Sequence, residues 1–506
     1  MDGDFDYPQN ILQILDSITT DDLNNYMKKY LDLNKVSLSL VHPENTTQEE
    51  LSKYHKNASA VSFKGQINQE AVDVSKIKQY RLGNNINAVF NPNLSELADY
   101  TLSLYTSAPP VIKPGTQLLL SALLKEGSAF RNANSFYKNS QKEGIYLTFK
   151  ADSREISVDC ISTADSVEKS LKYLKETLLH PRFTQERLDY VKANLKEKLK
   201  NISPSTGDLL SSELFPNISD FASREKIEEA IDGITLSDVM GLYQYIIQNA
   251  KADFVMTAPV EKNPLLINNT LTELSKDLPV FKQQNDTELF RVYTPIKENK
   301  LLTKSDKRIQ AEIEQMFTFK QNKNPKDRLS FLLLNYILGG SSSSRLFSDL
   351  REKQLLAYKV NSTFDTYGDM GIISLYINTT TDDPENNYVR YDNVQKSLDG
   401  FKKHVNLLKT ETVPEDELNA AKLRLKTSLL NDLESSSGQT ASLLSDMSSI
   451  YSINNTNELI KLIDEITPQD IYNTANYVFS GNALTSIIAS ENTLKNMNTE
   501  INAAVV

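Results

Sequence analysis

Apolar and polar positions alternate strictly in several short runs, as half-buried strands do. They are YRLGNNINAVFNPN (80–93), with a Gly-Asn-Asn turn between two strands, LADYTLSLYTS (97–107) and GIYLTFKADSREISVDCIS (144–162). The same rhythm returns in AEIEQMFTFK (311–320) and AYKVNSTFDTYGDMGIISLYINTT (357–380). Helical spacing takes over after each set. Val167, Leu171, Leu174 and Leu178 share one helix face, as do Val394, Leu398, Phe401, Val405 and Leu408. A turn and a second helix follow in both places, 180–199 and 411–430, with Thr184 and Pro414 at matching starts.

A third pattern occurs three times: ITTDDLNNYMKKYLDLNKVSLSLVHPE (18–44), ITLSDVMGLYQYIIQNAKADFVMTAPVE (234–261) and ITPQDIYNTANYVFSGNALTSIIASE (466–491). Each opens Ile-Thr, has Asp in fifth position, continues as an apolar helical stripe and closes on a short strand. The Thr suits an N-cap and the Asp adds negative charge to the first helical turn. Together the repeats predict an α+β chain of two homologous units, each an antiparallel sheet packed with helices. The units span 77–262 and 310–506, with a connector at 263–309. Residues 1–42 read as the closing helix and strand of a preceding unit, and 43–76 as a polar linker. An ending with no body before it implies the rear part of a longer duplicated protein. The alternative is an independently packed terminal arm.

Composition narrows the function classes. The 506 residues are 39% hydrophobic and 24% charged, a globular balance. No apolar run approaches the roughly 20 residues of a membrane span, and the acidic start MDGDFDYPQN does not resemble a secretory leader. A net charge of −11 argues against a nucleic-acid partner and is compatible with basic peptide ligands, although an acidic surface also serves solubility. Cys160 is the single cysteine, so no internal disulfide exists, and its place in an alternating strand marks it as buried rather than reactive.

The segment LGGSSSSRLFSDLREKQLLAY (338–358) is the most specific stretch. It holds Gly339-Gly340, Arg345-Leu346-Phe347, Leu350-Arg351-Glu352 and Ala357-Tyr358 in order, on a helix running into a strand. With the repeats, it resembles the pitrilysin/insulinase family of zinc metallopeptidases, and the resemblance covers nearly the whole chain. It implies a half-clamshell built from the family's third and fourth units. It also implies that Arg351 and Tyr358 reach the substrate backbone near the scissile bond. A guanidinium fork and a phenol can both donate hydrogen bonds to a peptide carbonyl, and such donors stabilise the oxyanion of hydrolysis.

The family's water is activated by zinc on an inverted His-x-x-Glu-His motif. The equivalent helix here is PGTQLLLSALLKEGS (114–128), and the resemblance aligns the motif with Leu118, Ser121 and Ala122. Both ligands and the base are replaced. Glu197 lies near the place of the family's distal ligand, but one carboxylate is no zinc site. His42, His55, His180 and His404 are far apart in sequence. The expectation is therefore no cofactor bound by this chain, with zinc on a partner half, either a separate chain or a missing N-terminal region. The function expected is a non-catalytic half of a zinc metalloendopeptidase that binds peptide substrates. The alternative is a catalytically dead scaffold subunit of a larger complex.

Overall fold

The computed structural model describes residues 18–30, 74–93, 97–283, 291–321, 324–383, 385–386, 388–448 and 456–497. The strand expected after residue 30, His42, His55 and most of the 43–76 linker lie outside the described residues. The chain divides into two compact units, 1–69 and 70–506. In the first, helix α1 (Thr20–Tyr30) starts at a reciprocal cap. Asp22 N–H donates to Thr19 Oγ1 (3.2 Å), and Thr19 N–H donates back to Asp22 Oδ2 (2.9 Å).

Among its described residues, the second unit contains two large sheets and a two-stranded ladder. The first comprises β1 (Lys78–Arg81), β2 (Ile86–Pro92), β3 (Leu97–Tyr105), β4 (Tyr146–Ala151), β5 (Glu155–Thr163) and β6 (Lys251–Ala258), in the order β1-β2-β6-β3-β5-β4. Alternation decides its faces. Ala98, Tyr100, Leu102 and Leu104 of β3 are buried in one core with Phe254 and Met256 of β6. That core is closed by helices α2 (Thr116–Leu123), α3 (Val167–Leu179) and α4 (Gln185–Lys200). Cys160 lies inside it, and burial pushes its thiol up to about 11.

Next come α5 (Thr206–Leu214) and α6 (Leu236–Asn249), the latter leading into β6. Residues 263–309, read from the sequence as a connector, carry structure of their own. Helix α7 (Leu266–Ser275) packs on α3, where Lys175 pairs with Glu273 (2.9 Å), and β7 (Lys300–Ser305) joins the second sheet. Polar composition hid both elements, because α7 buries only a narrow apolar stripe and β7 is an edge strand.

The second sheet comprises β7, β8 (Gln310–Lys320), β9 (Ala357–Tyr367), β10 (Met370–Thr380) and β13 (Ala483–Ala489), in the order β7-β13-β8-β10-β9. A two-residue ladder, β11 (Asp382–Asp383) with β12 (Tyr388–Val389), follows β10. Helices of this half include α8 (Pro325–Leu338), α9 (Asp392–Thr410), α10 (Glu415–Asp432), α11 (Ser436–Ser448) and α12 (Pro468–Val478). Both sheets are antiparallel except for one pair each, β2 with β6 and β7 with β13. In each case the later strand returns only after the helical layer, a crossover long enough for parallel pairing.

The second and third Ile-Thr segments repeat the cap of the first. Thr235 with Asp238 opens α6, and Thr467 with Asp470 opens α12, both as capping boxes. The Asp thus does more than add charge to the first turn, since its carboxylate also accepts the Thr backbone N–H.

Each half also lends a helix to the other half's sheet. Helix α11 lies against β3 and β6, where Ser437 donates to Asp99 (2.5 Å) and Leu443 packs with Val89 and Val255. Helix α5 lies against β8 and β13, where Thr206 donates to Glu314 (2.8 Å) and Leu210 packs with Met316 and Leu484. No described helix is long and apolar enough to cross a membrane.

Candidate functional site

Helix α8 ends at Leu338, and the Gly-Ser loop then runs tight against β9. A Cβ at Gly339 would collide with the Ser362 backbone amide, so only glycine fits there. Ser362 Oγ donates to Asn335 Oδ1 (2.6 Å), stitching the end of α8 to the strand. Arg424 of α10 donates to the hydroxyls of Ser341 and Ser343. Arg345 makes a bidentate pair with Glu417 (2.8 and 2.7 Å). The loop and the first helical turn are therefore fixed from two sides.

The segment Phe347–Lys353 winds as a π-helix rather than the ordinary helix expected from its pattern. Such turns are uncommon and recur at functional sites. The wider turn buries Asp349 and Leu350 and leaves Arg351 partly exposed. Asp349 is the anchor. It accepts hydrogen bonds from Lys403 (2.7 Å) and Gln354 (3.1 Å), and its Oδ2 lies 2.8 Å from His404 Nε2 of α9. Burial alone would raise the Asp349 carboxyl, but these partners outweigh it and hold the group well below the usual carboxylate range. Burial in turn lowers His404 against the raising pull of Asp349. The sequence shows His404 only as one of four histidines far apart in the chain, with no sign of this contact. An Asp and a His 55 positions apart leave no local signal.

The π-helix ends at Lys353, and Leu355 beyond it adopts a left-handed backbone (φ 53°) and is 82% exposed. The Leu356 N–H closes onto the Leu350 carbonyl (2.8 Å) and the chain enters β9. This turn carries Tyr358 back over the helix. The Arg351 guanidinium carbon sits 4.9 Å from the Tyr358 ring centroid and 4.5 Å from that of Phe347. Two aromatic rings thus hold the guanidinium. Tyr358 is 80% exposed. Neither its hydroxyl nor the Arg351 guanidinium makes a hydrogen bond or ion pair with any described residue. Arg345 and Arg424 are committed to scaffolding the Gly-Ser loop and the helix start, whereas Arg351 is held against two rings with its donors available.

The positions aligned with the zinc motif lie in the other half. On α2, Leu118 is partly exposed, Ala122 packs against the core, and Ser121 Oγ accepts the Ala151 N–H (3.2 Å). The serine therefore staples α2 to edge strand β4. Leu, Ser and Ala supply no metal donors, so these residues do not fit a zinc ion. Glu197 is 69% exposed and lies 3.4 Å from Lys200. Among the described residues, no three His, Cys, Asp or Glu come together as a metal-ligand group.

The family model described as "Peptidase M16 inactive domain" matches residues 233–425, a stretch that holds α6, the strands β6–β10, Arg351 and Tyr358. That stretch of the chain is similar to the inactive domain of M16 peptidases. The chain is 35% identical over 156 residues to an uncharacterized zinc protease of Rickettsia felis, covering 31% of this chain and 35% of that one. It is 25% identical over 255 residues to the non-peptidase homolog YmxG of Helicobacter pylori, covering 49% and 56%. The match thus spans about a third of the zinc-protease relative's length. Among solved structures, the peptidase M16 inactive domain from Pseudomonas fluorescens superposes with a TM-score of 0.69 at 17% identity, covering 82% of this chain and 98% of that one. The periplasmic protease PqqL from Escherichia coli superposes with a TM-score of 0.63 at 14% identity, covering 87% of this chain and 50% of that one. These two similarities establish the M16 fold of the two-sheet body.

Proposed function

We propose that this chain is the non-catalytic, peptide-binding half of an M16 metalloendopeptidase. Arg351 and Tyr358 are the residues that hold the substrate. The observation that carries this reading is the stacked Arg351, whose donors meet no acceptor among the described residues, beside an exposed phenol. A guanidinium already held against two rings has less rotamer freedom to lose on binding. Its donors and the Tyr358 hydroxyl suit a peptide carbonyl, and more so the oxyanion that forms from it. The chain's own residues at the motif positions hold no metal, so a zinc-bearing partner half would supply the activated water. This half would orient the backbone and stabilise developing charge.

Reconstitution tests the proposal. A zinc-bearing M16 half mixed with this chain should cleave an unstructured peptide, and Arg351→Ala or Tyr358→Phe should lower turnover. Full activity of the zinc half alone, or variants that leave turnover unchanged, would overturn it. A second reading is a dead scaffold subunit. It draws support from the Helicobacter pylori relative described as a non-peptidase homolog. Copurification with a stable partner that is no peptidase would favour it.

A further inference from the structure

A cavity of about 380 Å³ opens beside Tyr358. Leu355, Tyr358 and Tyr388 line it and are exposed, which makes an apolar rim. Asn378 and Asp383 also line it and are more deeply placed. Asp383 is only 9% exposed, and its carboxylate accepts the backbone N–H (3.3 Å) and side-chain amide (2.7 Å) of Asn386. It has no cation partner among the described residues. The buried Asn378 Oδ1 accepts no hydrogen bond there either. Asp383 is the one carboxylate among the described lining residues, and no Lys or Arg is among them. A buried carboxylate with spare lone pairs and no counter-charge is costly, and a ligand can supply the missing cation.

Strand β9 gives the ligand its direction. It is the edge of its sheet and pairs, among the described strands, with β10 alone. Ala357 and Tyr358, at the start of this edge, line the cavity. An extended peptide laid along an open edge presents alternate side chains to such a recess. The Leu355 backbone adds to the case. A leucine in the left-handed region is disfavoured where glycine would be comfortable, yet here it is projected, exposed, onto the cavity rim.

We propose that this cavity is a side-chain pocket for a Lys or Arg of a bound extended peptide, the aliphatic stem lying on Leu355 and Tyr388 and the cationic head on Asp383 and Asn378. The proposal rests on the reading that Arg351 and Tyr358 hold a peptide, and it names the class of substrate they would hold. Long cationic side chains bury their stems on apolar surface in this way.

The test is fluorescence anisotropy of the full chain with two labelled, unstructured peptides that differ only in a central Arg or norleucine. The Arg peptide should bind about tenfold tighter, as a charge-assisted contact warrants. Asp383→Asn should bring the two to within about twofold and leave norleucine binding unchanged. Leu355→Gly, on an exposed turn, should weaken the Arg peptide severalfold. Equal affinities in the wild type, a preference that survives Asp383→Asn, or unchanged binding by Leu355→Gly would each overturn the pocket. A tenfold preference lost in Asp383→Asn but untouched by Arg351→Ala would sustain the pocket and sink the Arg351 role instead. Binding of neither peptide would overturn both.

Discussion

The Arg351 guanidinium carbon lies 4.5 Å from the ring centroid of Phe347, four residues before it, and 4.9 Å from that of Tyr358, seven residues after it. The first contact is within the π-helix and the second crosses the turn at Leu355. Replacing Arg351 by Lys keeps the charge but removes the planar fork that the rings hold. Peptide affinity should fall about tenfold, or about 1.4 kcal/mol, with thermal stability little changed. A titration of labelled peptide against both proteins checks this.

Asp349 ties that helix to α9 through Lys403 and His404. Asp349→Ala leaves a buried imidazole and a lysine without their acceptor. Loss of the acceptor leaves the buried imidazole unsatisfied and removes a bond from a half-exposed lysine, which costs about 1–3 kcal/mol. Urea denaturation should show this as a lower midpoint, and peptide binding should weaken with it, because Arg351 rides on the same turn.

The His404 pair also predicts a pH dependence. The imidazole is lowered in the folded chain, so the unfolded chain binds the proton more readily. Its contribution is full above the unfolded value near 6.5 and is lost as pH falls below it. Asp349, also lowered, acts in the same direction at still lower pH. Glu155 and Asp220 are raised by burial and titrate in the opposite sense. The imidazole is therefore isolated by comparison. The wild type should lose more stability than His404→Gln between pH 7.5 and 5.5, and equal losses would exclude the mechanism.

Gly400 lets α9 approach the π-helix. A methyl at that position would collide with the Leu350 side chain. Gly400→Ala should cost about 1–3 kcal/mol through overpacking despite alanine's better helix propensity. Because Leu350 adjoins Arg351, peptide affinity should fall as well. Calorimetry and anisotropy on the same sample would show both effects.

Leu355→Gly should separate stability from binding. Relief of the left-handed leucine should raise stability by up to about 1 kcal/mol, while the lost rim contact weakens the Arg-containing peptide. A variant that is more stable and binds less well is the expected outcome, read from a urea midpoint and a Kd.

Much of the fold was legible because it rests on local rules. Period-two alternation in β3, β5, β8 and β10 announced the strands, since successive side chains point to opposite faces, although β3 is buried on both faces because α11 covers the outer one. The three Ile-Thr openings announced helix starts, and the caps at Thr19, Thr235 and Thr467 form within four residues of chain. The 263–309 region was less legible. Its α7 and β7 draw their stability from contacts with α3 and β13, which lie far away in sequence. The exchange of α5 and α11 between sheets left no signal for the same reason, since it depends on outer-face residues such as Asp99 and Glu314 that read as solvent-facing.

For the site, the sequence by itself determined which residues carry the resemblance, Arg351 and Tyr358, and that Leu118, Ser121 and Ala122 lack metal-binding chemistry. These follow from residue identity and order. The tertiary structure alone decided that Arg351 is stacked with its donors available while Arg345 and Arg424 are tied down, that Asp349 anchors the helix through His404, and that Asp383 lies buried beside a cavity without a counter-ion. Each of these depends on groups brought together across tens of residues, where burial and distance, rather than the identity of any one side chain, set the interaction.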